Sequence, residues 1–409
     1  MKPIGPLPPA FADQHGGLTI AGRTASDWVA AHGSPVFVYD FGVVRGQIER
    51  FRAAMPAGVR LHYAVKANPY APLVAAIAPL VDGLDVASAG ELAEVLAYKR
   101  GAAISFAGPG KRDAELEAAV RAGVTLNVES ENEARRAIAA GERLGIVPRL
   151  AVRVNPDLEL RGSGMKMGGR ASPFGVDAER VPALVREIVA SGAEWRGFHI
   201  FAGSQALDSD ALIETQGATV ALAGRLAEES GRAPPLVNLG GGFGIPHFAG
   251  DTPVDVARIG AALGETLDKR GAMLAETVFA IELGRWLVGE AGVYLTRVVD
   301  RKESRGETFL VVDGGLHHQL AASGNFGTVV RRNYPVAVAG RMGAVADDAV
   351  SVVGCLCTPL DRLADRVVLP RADVGDVIAI FIAGAYGLTA SPSAFLGHPV
   401  PAQVLTGVS

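Results

Sequence analysis

Cysteine is nearly absent: Cys355 and Cys357 are the only two in 409 residues. They stand too close in sequence for a stabilising cross-link, so a disulfide framework is excluded and a reducing cytoplasm is the expected compartment. Read as part of one strand, they face the same way. Neither has metal-ligand spacing around it, and the eight histidines show no zinc pattern, so no metal is expected. Basic excess is also missing. Lys and Arg number 39 against 43 acidic residues, a net charge of −4, which leaves no footprint for nucleic acid. No apolar run is long enough to span a bilayer, so a membrane is not an expected partner. Met1–Ala12 is proline-rich and lacks the charged-then-apolar layout of an export signal.

What remains is an ordinary enzyme-like composition, 49% hydrophobic and 20% charged, long enough for one large domain and a smaller one. From residue 61 short apolar runs alternate with helical patterns. The runs are Leu61–Ala67, Gly83–Ser88, Ile104–Gly108, Thr125–Glu129, Arg149–Asn155, Gly197–Gly203, Leu236–Gly241 and Val278–Gly284. Helix-length segments lie between them, among them Gly90–Arg100, Asp113–Ala122, Ala178–Ser191 and Val254–Arg270. Ser88-Ala89-Gly90-Glu91 and Ser130-Glu131-Asn132-Glu133 read as capping boxes, and Gly101, Gly123 and Gly145 as helix stops. Eight such alternations predict an α/β fold, a (β/α)8 barrel. After Arg285 the pattern turns strand-like, with Thr308–Val312, Val350–Cys357, Arg366–Leu369 and Asp376–Ile382, and predicts a C-terminal all-β domain of sandwich or Greek-key type. The expected boundaries are an N-terminal segment 1–35 joining the β domain, a barrel over 36–284, and the β domain over 285–409. The early runs Leu18–Ile20 and Val36–Tyr39 could belong to that sheet as well. The glycine-rich stretch Asp157–Pro173 reads as a mobile loop over the barrel mouth.

Barrels of this kind carry their chemistry at the C-terminal ends of the strands. Lys66 ends the first run, in Tyr63-Ala64-Val65-Lys66-Ala67-Asn68. A lysine is normally a solvated surface charge, but one closing an apolar run is costly to bury unless its amine is neutralised or used covalently, as in a Schiff base. The other ends offer Asp85 and Ser88, Gly108, Glu129, Arg153 with Asn155, His199 with Phe201 and Ser204, Gly240-Gly241-Gly242, and Glu282 with Arg285. The glycine turn could aim bare N–H groups at a phosphate, although a tight structural turn reads equally well. Arg285 could add a phosphate contact or serve only as a rim salt bridge. Glu282 in an apolar run needs a cationic partner, and a protonated ring nitrogen is one. An amine, a phosphate cradle and a carboxylate for a ring nitrogen together point to pyridoxal 5'-phosphate.

These residues carry a resemblance. Tyr63–Asn68, Asp85–Glu91, Arg153–Pro156, Gly203-Ser204-Gln205, Leu239–Gly244, Glu282–Arg285, Val312–Gly315, Cys357–Asp361 and Gly384–Gly387 resemble the fold-type III pyridoxal-phosphate decarboxylases, the group of the diaminopimelate, ornithine and arginine decarboxylases. The resemblance runs from about Val36 to Val404. It implies that Lys66 holds the cofactor as an internal aldimine and that Glu282 keeps the pyridine nitrogen protonated. Asp85, Arg153, His199, Phe201, Ser204, Gly241, Gly242, Glu282, Leu283, Gly284, Arg285 and Tyr386 become the expected cofactor contacts. It further implies a head-to-tail homodimer with shared sites, in which Cys357 from the partner subunit protonates the carbanion left by carbon dioxide. Arg285, Thr358, Asp361 and Tyr386 would line the substrate, and Asp313 lies in the matching Val-Asp-Gly-Gly turn.

The chain also departs from that pattern. Phe201 stands where the family usually stacks a histidine, and Leu283 replaces a usual proline. Thr358 replaces the glutamate that reads the distal amine of diaminopimelate, and Ala321 and Asn325 replace the arginine and tyrosine that hold its distal carboxylate. Losing a buried charged contact costs several kcal/mol, so free diaminopimelate is not the expected substrate. The substitutions resemble a divergent subgroup associated with exopolysaccharide or exosortase loci, or with amino acids tethered to an acyl carrier protein. Arg331 and Arg332 would then face a phosphopantetheine phosphate or an acidic carrier, or else be ordinary surface charge. Alternatives are a diaminopimelate decarboxylase proper, an amino-acid racemase of the related barrel, and a non-catalytic homologue.

Overall fold

The computed structural model describes residues 1–157, 165–166, 171–324 and 332–408. Most of the glycine-rich stretch 157–173, together with Asn325 and Arg331, therefore lies outside the described residues. Contacts divide the chain into two units. One comprises Ile48–Gly244 and Pro253–Gly284; the other comprises Met1–Gln47, Ile245–Thr252 and Arg285–Ser409.

The first unit is the barrel. Its eight parallel strands are β1 (Arg60–Ala64), β2 (Gly83–Val86), β3 (Ile104–Phe106), β4 (Thr125–Val128), β5 (Arg149–Asn155), β6 (Glu194–Ile200), β7 (Leu236–Asn238) and β8 (Val278–Leu283). They pair in sequence order, and β8 closes on β1 through Glu282 opposite His62. Strands enclosed by helices outside and packed side chains inside are buried on both faces, which is why each reads as a continuous apolar run. Several end earlier than those runs. β1 stops at Ala64, and Val65–Ala67 forms a single 3₁₀ turn, so Lys66 stands in a turn and not on the strand.

Helices return the chain between strands. Asp113–Ala122 and Glu131–Leu144 end at Gly123 and Gly145, both left-handed with φ of 65° and 64°. Gly101 does not end a helix: the preceding one stops at Val95, and Gly101 opens a 3₁₀ turn. The predicted capping boxes form by half. Ser88 and Ser130 accept the amides of Glu91 and Glu133, but Glu91 turns to the Ala87 amide and Glu133 to the buried Lys111 amine.

The second unit is a mixed β-sheet built on one 13-residue strand, Gly292–Ser304. Its first part pairs antiparallel with Val36–Asp40 and Val377–Phe381, its second with Glu307–Val312. Val36–Asp40 also pairs with Ala402–Thr406, so it belongs to this sheet; the expected boundary at residue 36 falls before a strand that hydrogen-bonds into the β unit. Asp348–Val353 ends before both cysteines, which lie in the following turn, so they do not share a strand. Among the described residues no helix is long and apolar enough to cross a membrane.

Candidate active site

Packing fixes the turn that carries Lys66. The buried Tyr63 hydroxyl donates to the Asn68 carbonyl at 2.9 Å, and Gly284, just past β8, leaves no room for a side chain, since a Cβ there would meet that of Ala67 at 2.8 Å. The amine is not entombed: the side chain is 49% exposed, against the expectation of a buried lysine. Its Nζ stands 3.9 Å from a Glu282 carboxylate oxygen and 5.8 Å from the centre of the Phe201 ring.

Glu282 is buried on β8. Burial alone would raise its carboxyl, but His199 and the charges of Lys66 and Arg153 more than reverse this and hold it well below the usual carboxylate range. His199 Nε2 lies 3.1 Å from Glu282, although its N–H is not aimed along that line and forms no well-shaped hydrogen bond. His199, on β6, serves the carboxylate, whereas Phe201, beyond the strand end, faces the Lys66 amine.

The glycine turn after β7 packs between these parts. Gly240 (φ 68°) donates to Asn238 Oδ1 and accepts from the Glu282 amide, tying the turn to β8. A Cβ at Gly241 would stand 1.9 Å from the Glu282 carbonyl oxygen, so the backbone there has to stay bare. The segment with Ser204 is zipped onto the same turn, through Ala206 N to Gly242 O and Gly244 N to Ala206 O, both 2.9 Å. The backbone of Gly203–Ser204 also pairs with Met165–Lys166.

Two expected contacts have protein partners. Arg153 pairs with Glu129 at 2.9 Å, and the same carboxylate also accepts the Gly108 and Gly175 amides, stapling three strand ends together. Asp85 pairs through Oδ1 with His62 Nδ1 at 3.1 Å, and its buried Oδ2 has no partner among the described residues. One residue reads from the sequence only as a cap: Glu91, whose carboxyl is held above its ordinary value by burial, which the Ala87 amide and the Lys66 charge offset only in part. A carboxylate one turn into a helix that starts at a strand end was the available signal.

In the β unit, the Arg285 guanidinium lies over the Tyr386 ring at 4.6 Å and 3.5 Å from His247 Nε2. Burial first, then the Arg285 charge, pulls His247 down to about 3, so a neutral imidazole faces the guanidinium. Tyr386 is held at φ 52°, in the left-handed region that non-glycine residues rarely adopt. Cys357 is exposed, and Thr358 Oγ1 accepts the Leu360 amide. Asp361 is buried, its two oxygens accepting the Leu316 and Leu356 amides at 2.7 and 2.9 Å. Arg332 stacks on Phe248 at 3.8 Å.

Comparison with known proteins decides the family. The pyridoxal-binding domain of the pyridoxal-dependent decarboxylases matches residues 41–289. The chain belongs to that family. It is a carboxy-lyase whose cofactor is pyridoxal 5'-phosphate, built as a (β/α)8 barrel with a β domain. The decarboxylase is 35% identical to the L-glutamyl-(BtrI acyl-carrier protein) decarboxylase of Niallia circulans, over 91% of this chain and 88% of that protein. It is 33% identical to the diaminopimelate decarboxylase of Archaeoglobus fulgidus, over 97% and 93%. The diaminopimelate decarboxylase of M. jannaschii solved with L-lysine superposes with a TM-score of 0.84 at 25% identity, covering 96% of this chain and 91% of that one. The residues present fit the cofactor: a buried carboxylate kept ionised, an amine within reach of it, an aromatic face, and a turn that only glycine can occupy.

Proposed function

We propose that this decarboxylase acts on the α-carboxyl of an amino acid carried on an acyl carrier protein. The barrel chemistry rests on one juxtaposition, the Lys66 amine 3.9 Å from the ionised, buried Glu282. Lys66 would hold pyridoxal phosphate covalently, Glu282 would keep the proton on its ring nitrogen, and Phe201 would cover a ring face. Ser204, Gly241 and Gly242, with Gly284, Arg285 and Tyr386, would hold the phosphate; Asp85, Arg153, His199 and Leu283 complete the expected contacts. The bound cofactor supplies an electron sink for the pair released when the Cα–carboxylate bond breaks. Carbon dioxide leaves, and a proton from the Sγ–H of Cys357 of the partner subunit takes its place on Cα. That role asks for an accessible thiol, and Cys357 is exposed.

The substrate reading is supported by what the chain lacks. Ala321 is buried and apolar where a distal carboxylate would need an arginine, and Thr358 spends its hydroxyl within its own turn. A substrate whose side-chain carboxyl is already a thioester needs no such clamp, and the Niallia circulans relative is named for a carrier-bound L-glutamyl group. Arg285, Thr358, Asp361 and Tyr386 remain the proposed substrate contacts, although Asp361 already commits both oxygens to the backbone. Measuring carbon dioxide release from free amino acids and from aminoacylated carrier proteins tests the proposal. Turnover on carrier-bound substrate alone is expected; efficient turnover of free diaminopimelate would overturn it and favour the reading suggested by the A. fulgidus relative.

A further inference from the structure

We infer that His317, Cys355 and His398, in the β unit, form a binding site for a divalent cation of the zinc class. Their ligand atoms all lie within 4.8 Å of one another, with Cys355 Sγ 3.8 Å from His398 Nε2 and the His317 and His398 rings 5.1 Å apart. Tetrahedral zinc, with bonds of about 2.3 Å to sulfur and about 2.0 Å to nitrogen, places its ligand atoms roughly 3.5 Å apart, so closing the site asks for about an ångström of movement.

The second observation is His317 itself. It is fully buried, yet neither ring nitrogen has a hydrogen-bond partner among the described residues. A buried polar group left unsatisfied is unfavourable, and a bound cation would remove that cost. Two imidazoles and a thiolate leave one position for water or a further ligand.

The surroundings hold the ligands in place. Asp361 fastens the Leu316 amide, next to His317, and the Leu356 amide, next to Cys355. No side chain fits at Gly315 or Gly354, where a Cβ would meet that carboxylate at 2.4 and 2.2 Å. The His318 ring packs against that of His317 in a tilted arrangement, centroids 3.7 Å apart, and is fixed by the Tyr294 hydroxyl at 3.0 Å from its Nδ1. Such outer contacts orient metal-binding imidazoles. No spacing in the sequence announces the cluster, because its members come from three separate turns.

The test uses the chelator-treated holoenzyme with Zn²⁺ for calorimetry and Co²⁺ as an optical probe. One ion per chain is expected, with cobalt ligand-field bands and a thiolate charge-transfer band that Cys355→Ser removes. Because losing even an outer-shell partner costs 10- to 100-fold in affinity, His398→Ala should weaken binding by about a hundredfold or more. His398 is only half-buried and sits in a loop, so this variant reports even if Cys355→Ser fails to fold. No stoichiometric ion in the wild type, or binding unchanged in His398→Ala, overturns the inference.

Discussion

Replacing Glu282 by glutamine keeps the volume of the side chain and removes its charge. The carboxylate is 6% exposed, 3.1 Å from His199 and 3.9 Å from the Lys66 amine. The bare Coulomb attraction at 3.9 Å would be about 4 kcal/mol at an effective dielectric near 20. Lys66 is half exposed, however, and solvent screening brings that pair to about 1 kcal/mol or less. The larger effect falls on the ring nitrogen, which glutamine cannot keep protonated. A charge-assisted hydrogen bond contributes roughly 1.5–3 kcal/mol, and at 1.36 kcal/mol per decade its loss means about a ten- to hundredfold fall in kcat/KM. The cofactor should stay bound, because Lys66 and the glycine turn are untouched. Its absorbance should titrate at a different pH from that of the wild type. Steady-state carbon dioxide release and a pH series of spectra measure both. Wild-type turnover together with an unshifted titration would refute the role given to Glu282.

Lys66→Ala should lose the visible absorbance of bound cofactor and all turnover while melting like the cofactor-free wild type, since the side chain is half exposed; a coloured, active variant would refute covalent attachment. Cys357→Ala should slow product protonation or divert it to transamination, with cofactor spectra unchanged, and wild-type rate and product fidelity would remove Cys357 from the mechanism. Asp365 tests the β unit. Burial would raise its carboxyl, but hydrogen bonds and charge from Lys2 and Arg362 hold it below the ordinary value. A depressed carboxylate contributes stability above its unfolded pKa, about 4, that disappears as pH falls through the folded value. Asp365→Asn should therefore lower stability by about 1 kcal/mol at neutral pH, and the gap to wild type in urea midpoints should narrow as the pH falls below the ordinary carboxylate range. A gap independent of pH would contradict this.

How far the sequence reveals this molecule depends on what each residue faces. The eight barrel strands were legible because both faces are buried, so their apolar runs are continuous. Their ends were overrun because Val65 and Ala67, on either side of Lys66, and Glu129 after β4 are nearly as buried as the strands although they lie beyond them. The longest strand of the β unit, Gly292–Ser304, went unread for the opposite reason. Beyond Val298 it emerges into solvent, and Asp300, Arg301, Lys302 and Glu303 look like a loop although their backbone pairs with Glu307–Val312. In the candidate site, the strand ends told which side chains arrive but not whom they meet. Arg153 meets Glu129 on the neighbouring strand, Asp85 meets His62 across another, and His199 reaches Glu282 from two strands away. Those pairings are set by register: His199 lies level with Asn238, and Asn238 with Ala280, which places Glu282 one pleat further along on the same face. A one-residue slip of β8 would turn Glu282 out of the barrel and leave the Lys66 amine without its carboxylate. Barrel closure is thus what converts a row of polar strand ends into an acid held ionised beside an amine.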